Sequence, residues 1–408
     1  MSPRHAGPFR RSLRHARSLR KHHIIRGLAL GVAAVFAVSA GGGAAAYNRL
    51  QGNVNVADAF GLAGEAPGVE PAPDPNDPLA GQDVNILLLG SDERSGENGN
   101  IGGTVEGMRS DTTIVVHLSA DRSRAEVVSI PRDSLVEIPS CTMTDGSTTR
   151  AQSNAMFNSA FATGWDHGGD LTSAAACTIK TVQMNTGLTI DHFAIIDFTG
   201  FISMVDALGG VPICLPEAIY SKDADLDVEA GYQTFDGTTA LGYARARKGT
   251  NLNGSDLQRA DRQQKLIGAM VQQIQSSNVL TDVPKLMNFL DAATKSLTVD
   301  PGLSSLTDMA GLALSLRSLD RSAITFMTIP VADAPSDKNR VVWTSEADVV
   351  WAKMLVDDPL TEEEAAAEAA TKTPAPSASS GSGSTSTPST PKPKVTTSTK
   401  DDATGVCG

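Results

Sequence analysis

The stretch Val84–Gly90, VNILLLG, is apolar at almost every position. A half-solvated strand alternates apolar and polar residues, so a near-continuous apolar run fits a strand covered on both faces. TTIVVHLS (112–119) and AEVVSIP (125–131) follow at short spacing, and HFAIIDF (192–198), VPICL (211–215) and AITFMTIPV (323–331) lie further on. Between and after them come segments of helical character: FISMVDALGG with its glycine stop, a helix behind Ser255, and helices near 280–296, 303–319 and 344–357. Strands interleaved with helices predict an α/β body, built as a three-layer α/β/α sandwich over residues 81–358. No internal repeat is found.

The flanks are of another character. Residues 1–26 hold eight Lys/Arg and no acid, although the 408-residue chain has a net charge of −12. From Gly27 to Tyr47 there are 21 residues without a charge, which as a helix span about 31 Å, one bilayer core. The length predicts a retained transmembrane helix over 27–47; a cleaved signal peptide ending in the small residues near Ala44–Ala46 is the rival. The basic flank predicts a cytoplasmic N-terminus, single-pass type II topology and an extracellular body. Residues 48–80, with PGVEPAPDPNDP, read as a polar stalk. Residues 359–408, rich in Ser, Thr, Pro and Ala, read as a disordered low-complexity tail. The overall acidity argues against nucleic acid as a partner, and the basic segment is too short for a DNA-binding domain.

Charged residues gather where strands end, the place where ligands bind in layered sheets. The first strand runs into Gly90-Ser91-Asp92-Glu93-Arg94, then a glycine-rich loop, then Arg109-Ser110-Asp111. The third ends in Pro131-Arg132-Asp133-Ser134. Arg245 and Arg247 close what reads as an extended segment, and Ser255 caps the helix behind them. On that helix Leu266, Ile267, Met270, Val271 and Ile274 share one arc with Asp256, Arg259 and Gln263, and Arg262 lies just outside it. Inward-pointing arginines need an anion. A buried ion pair with Asp256 or Asp261 is one reading, and a phosphate site is the other. His117 and His192 fall inside apolar strand patterns and read as hydrogen-bonded core residues.

GSDER, MRSDTT, SIPRDS, FNSAFATG, IDHFAIIDFTGF, VDALGGV and YARAR with DLQRADRQQ occur in the order found in the LytR-CpsA-Psr family, which the chain resembles strongly over 82–275. The resemblance implies a membrane-anchored phosphotransferase. Such an enzyme moves a glycopolymer from a polyprenyl-pyrophosphate carrier onto a hydroxyl of peptidoglycan during cell-wall assembly. It implies that Asp92 and Asp111 hold Mg²⁺, or Mn²⁺ in its place, on the pyrophosphate. It implies that Arg132, Arg245 and Arg247 grip the phosphates, and that Arg259, Arg262 and Gln263 line the same pocket. Arg94 and Arg109 are further candidates. Met156 stands where the family commonly carries a basic residue. A hydrolase using water at the same site and a non-catalytic envelope scaffold or regulator are the alternatives.

An exported protein with four cysteines favours pairing. Cys141 with Cys177 is the expected bridge, both lying between the Pro131-Arg132-Asp133 strand and the next one. Cys214 with Cys407 is the remaining pair.

Overall fold

The computed structural model describes residues 44–64, 81–92, 107–276, 282–316, 319, 321–362 and 364–365. It divides into two units, Met1–Gly52 and Asn53–Gly408. In the first, residues 44–51 form a helix. No helix among the described residues is long and apolar enough to cross a membrane. The span expected at 27–47 lies outside them except for its last four residues.

In the second unit the strands are β1 (Asn55–Val56), β2 (Val84–Ser91), β3 (Ser110–Leu118), β4 (Ala125–Ile130), β5 (Leu135–Ile138), β6 (Gln152–Met156), β7 (His192–Ile196), β8 (Val211–Leu215), β9 (Ile219–Ser221), β10 (Leu226–Val228), β11 (Gly231–Phe235), β12 (Leu297–Val299), β13 (Ile324–Thr328), β14 (Val331–Ala334) and β15 (Asp337–Trp343). The longer helices are α1 (Ser159–Gly168), α2 (Leu171–Thr186), α3 (Phe198–Ala207), α4 (Gly237–Arg245), α5 (Asp256–Ser276), α6 (Val283–Ser296), α7 (Leu306–Ser315) and α8 (Ser345–Leu355).

A seven-stranded mixed sheet in the order β1-β12-β7-β2-β3-β4-β13 forms the centre. β2 pairs parallel with β7 and antiparallel with β3, and β4 pairs antiparallel with β3. The apolar run of β2 is explained by its two faces. Leu87 and Leu89 enter a core with Val115, Val128, Phe161, Ile179 and Trp351, while Leu88 packs on the other side with Ile114, Phe326 and Ile267. Helices therefore lie against both faces of the sheet. A separate core joins α5, through Leu266, to Ile213, Phe235 and Tyr243. α5 is wedged between that core and the main sheet, where Gln264 donates to Ser129 Oγ at 2.9 Å.

Several expected boundaries move. The stalk read over 48–80 is ordered through 64: β1 pairs parallel with β12, Ala57 and Ala59 are buried, and the Phe60 ring meets Phe193 edge-on at 5.7 Å. Small apolar residues make this segment a packed edge in spite of the polar stretch that follows. The tail read as disordered from 359 also begins inside the body. Leu360 packs on the first core, and Thr361 and Glu364 cap each other at 2.9 and 3.1 Å. The remainder of the tail lies outside the described residues. Finally, the segment ending at Arg245 is the helix α4, capped by Asp236 through Thr239 N, and not an extended stretch.

α1 and α2 cross closely at Gly164, where any Cβ would collide with the backbone of Ser173 and Ala174. Asp170 caps α2 through Ser173 N. Cys141 and Cys177 are joined, with Cα atoms 5.2 Å apart, so the segment after β5 is tied to α2 across 36 residues. Closing a loop of that length limits the unfolded chain by about 4 kcal/mol in the chain-entropy treatment. Cys407, the expected partner of Cys214, lies outside the described residues.

Candidate active site

The C-terminal ends of β2 and β4 and the N-terminal end of β3 meet at one edge of the sheet, because β3 runs antiparallel to both. This places Asp92, Asp111 and Arg132 on adjacent strands. Asp92 is buried; its Oδ1 accepts the Arg109 amide at 2.5 Å, and its own amide donates to the Arg109 carbonyl at 2.9 Å. Asp111 Oδ1 accepts Arg132 Nη1 at 2.7 Å. Asn158, itself buried, also donates to the Asp111 carboxylate.

The N-terminus of α5 closes over this edge. Asp256 Oδ2 accepts the Arg132 amide at 3.2 Å, and Asp256 Oδ1 lies 2.6 Å from Arg259 Nη2. Arg259 Nη2 also donates to the Asp111 carbonyl at 2.8 Å. Arg247 Nη2 approaches Asp133 Oδ2 at 3.8 Å, and Arg340 Nη1 approaches Asp133 Oδ1 at 3.5 Å. The Arg245 guanidinium stacks 4.6 Å above the Phe198 ring at the start of α3. Four arginines thus share the three carboxylates of Asp111, Asp133 and Asp256.

Of the two readings of the α5 arginines, the buried ion pair is the one the structure displays. Asp256 and Arg259 form the buried ion pair, and that pair holds Arg132 toward Asp111. Arg262 and Gln263 act differently from the pocket lining expected of them. Arg262 is buried and gives its N–H groups to the Tyr243 and Ala246 carbonyls, while Gln263 Nε2 donates to the Ala244 carbonyl at 3.2 Å. They satisfy the orphan carbonyls at the end of α4 and so position Arg245 and Arg247. The loop beyond Arg247 is fixed at Gly249, whose φ of 148° and contact with Tyr220 leave no room for a side chain. Arg109 is exposed at the rim, and Arg94 lies outside the described residues.

The electrostatics follow from this crowding. Burial raises the Asp111 pKa, but Arg132 and Arg259 outweigh it and the carboxyl is held below its ordinary value. Burial and the neighbouring Asp256 push Asp133 up against the pull of Arg132, Arg340 and Arg259. Burial lowers the Arg132 pKa, but Asp111, Asp256 and Asp133 reverse that and raise it. The site edge is therefore a fixed array of guanidiniums packed against carboxylates. Such planar forks suit phosphate oxygens.

Arg340 and Asn158 were missed as site residues in the sequence, while Asp256 was read there as an ion-pair partner of the α5 arginines. Arg340 lies on β15, far along the chain, and reaches the site because Val341 bridges Ser134 and bonds the Asp133 carbonyl at 3.2 Å. No local signal marks it. His117 and His192 are placed as hydrogen-bonded residues: His117 Nδ1 meets Asn85 Oδ1 at 2.8 Å and Nε2 meets Asp357 Oδ1 at 3.1 Å, and His192 Nδ1 meets Asp300 Oδ1 at 3.1 Å.

Comparison with known proteins defines the class. The model of the LytR_cpsA_psr family matches residues 64–354, and the chain belongs to that family. It is 33% identical over 303 residues to the cell wall biosynthesis protein LcpA of Corynebacterium glutamicum, covering 70% of this chain and 57% of that one. It is 29% identical over 247 residues to the polyisoprenyl-teichoic acid–peptidoglycan teichoic acid transferase TagT of Bacillus subtilis, covering 59% of this chain and 67% of TagT. The chain thus spans less than three-fifths of the Corynebacterium protein. Among solved structures, protein gbs0355 of Streptococcus agalactiae shares the fold at a TM-score of 0.52 and 21% identity, over 69% of this chain and 90% of that one.

Proposed function

We propose that this protein is a membrane-anchored phosphotransferase that moves a glycopolymer from a polyprenyl-pyrophosphate carrier onto a peptidoglycan hydroxyl. The observation that carries the reading is the convergence of Arg132, Arg245, Arg247 and Arg259 on one sheet edge beside Asp92 and Asp111. Membership of a family that includes a teichoic acid–peptidoglycan transferase supports it. In this reading the arginines hold the two phosphates. The acceptor hydroxyl attacks the phosphorus that carries the glycan, a new O–P bond forms, and the bond to the polyprenyl monophosphate breaks in line with it. The hydroxyl proton passes to one of the two carboxylates at this edge, Asp92 or Asp111.

The donor set suits Mg²⁺. Among the described residues no group of three or more His, Cys, Asp or Glu could hold a metal, yet Mg²⁺ is commonly held by one or two carboxylates together with substrate phosphates. Asp92 and Asp111 supply two hard oxygen ligands, and the buried Asn158 Oδ1 beside them has no hydrogen-bond partner. Bound there, the ion would neutralise charge on the pyrophosphate. We also read the body as an extracellular α/β/α-layered domain anchored by 27–47, from the basic leader ahead of an uncharged run. Protease shaving of intact cells should then remove the body and leave a membrane stub.

The deciding experiment incubates the detergent-purified full chain with lipid-linked glycopolymer, peptidoglycan and Mg²⁺. Transfer yields glycopolymer bound to peptidoglycan through a phosphodiester, together with polyprenyl monophosphate. Release of free glycopolymer phosphate with peptidoglycan unmodified would establish a hydrolase instead.

A further inference from the structure

A cavity of about 350 Å³ opens at the same sheet edge, on the β7 side of β2. This volume is in the range of small-molecule sites, roughly 300–1,000 Å³. Its polar wall includes Asn55, Ser91, Thr172, Asp197, Lys295 and Thr298. Seven of its eleven lining residues are polar, which disfavours a polyprenyl chain. Lys295, the one cation of the lining, is already paired with Asp291 at 2.7 Å, which disfavours a phosphate. Hydroxyl, amide and carboxylate groups over a small apolar floor that includes Val56 and Leu171 suit a neutral polyhydroxylated ring, with polar edges and C–H faces.

Register fixes where this cavity stands relative to the arginines. Gly90 is aligned with Ile196 of β7 on one side and with Thr112 of β3 on the other. Asp197 and Asp111 therefore flank the end of β2 on strands two apart, about 10 Å at ordinary strand spacing. Ser91 lines the cavity, and Asp92 follows it directly, between cavity and arginines. Phe198, next to Asp197, carries the Arg245 guanidinium on its ring. The cavity wall at Asn55–Ala57 lies outside the residues that match the family model.

We propose that this cavity binds the acceptor saccharide, the peptidoglycan sugar ring whose hydroxyl attacks. The inference rests on the transfer reading above. The sugar sits on the β7 side, the pyrophosphate on the β3–β4 side, and the hydroxyl reaches phosphorus across Asp92. The O–H bond breaks with its proton going to a carboxylate at the sheet edge, the O–P bond forms, and polyprenyl monophosphate carries away the electron pair of the broken P–O bond.

The test uses the full chain in detergent, with a soluble peptidoglycan disaccharide fragment as the binding probe and a short-glycan polyprenyl pyrophosphate as donor. Asn55→Trp fills the cavity from an exposed strand position, and Thr172→Val removes a hydroxyl at nearly constant volume. The proposal expects fragment affinity to fall at least tenfold in Asn55→Trp and about threefold in Thr172→Val. Donor Kd should stay within twofold and Tm near wild type. Wild-type protein that does not bind the fragment, or well-folded variants that bind it normally, would overturn the proposal. So would variants that lose donor affinity instead, since the cavity would then hold the donor's sugar. Wild-type protein that binds fragment and donor but transfers nothing would refute the transfer reading and leave the saccharide site standing.

Discussion

β3 and β4 carry buried charge at both of their ends, and the two ends are built differently. At the far end from the site, Arg124 bonds Glu126 Oε1 at 2.8 Å and also Asp357, which in turn meets His117. Glu364 comes in from the tail and raises the Glu126 pKa further. One arginine there serves several acids, and its side chain is only 5% exposed. At the site end the balance is reversed. Four arginines serve three carboxylates, and Arg247 and Arg340 remain 33% and 32% exposed. A charge cluster whose one arginine is buried among its acids is structure. One with arginines in excess of the carboxylates they contact, and open to water, suits the anion of the proposed function.

The largest effect should come from breaking the closed cluster. Arg124→Ala leaves buried Glu126 and half-buried Asp357 without their cation, a change that costs about 3–5 kcal/mol in comparable buried pairs. We expect a melting temperature lower by roughly 10 °C and unchanged transfer per folded molecule. Loss of activity without loss of stability would erase the distinction between the two ends.

The mirror experiment is Arg247→Ala. Its pairing with Asp133 is loose and partly exposed, so stability should change by less than about 1 kcal/mol. Transfer should fall roughly 100-fold, as for loss of one preorganised donor to developing negative charge.

Glu126→Gln sharpens the comparison through pH. Burial, helped by Glu364, raises the Glu126 pKa from 4.5 to about 7 against His117 and Arg124. The folded state then holds this proton more tightly than the unfolded chain does. Wild-type stability should fall as pH rises from about 4.5 to 7, by about 3 kcal/mol from this group, and level off above. The Gln variant should lose that slope, as read from denaturant midpoints at several pH values. At the site end Asp111 has the opposite sign: its pKa is lowered, so its contribution is present above its ordinary value of 3.8 and fades as pH falls below it.

The smallest effect is expected at Arg340. It stands at the rim and touches only the outer oxygen of Asp133 among the interactions above. Arg340→Ala should raise the donor KM by up to about fivefold, the size of an exposed ion pair, and leave kcat unchanged.

The comparison also explains what the sequence made legible. β2, β3, β4, β7 and β8 were readable because strands buried on both faces leave apolar runs such as Leu87–Leu89. Asp92, Asp111 and Arg132 were readable because they directly abut those runs. α4 was misread because GTTALGYAR mixes glycine and threonine and buries Ala240, Leu241 and Tyr243 without a clean apolar stripe. The edge strand β1 was lost because two residues make no pattern, and its partner is 243 residues away at Thr298. Arg262 lay just outside the arc that holds Arg259, and nothing local separates a guanidinium that caps a neighbouring helix from one that faces a ligand. The tail's start at Thr361–Glu364 did carry a signal, since a threonine followed three residues later by glutamate is a capping box.

The central claim is that the open end of the sheet is a phosphate site and that Arg132 is its anchor. Arg132→Ala should be measured for transfer and for melting temperature on one preparation. The account predicts a loss of roughly 100- to 1000-fold in transfer, only partly restored in Arg132→Lys because an ammonium cannot make the fork, in protein that melts near the wild-type temperature. A normally folded Arg132→Ala protein that transfers at near wild-type rate would contradict it.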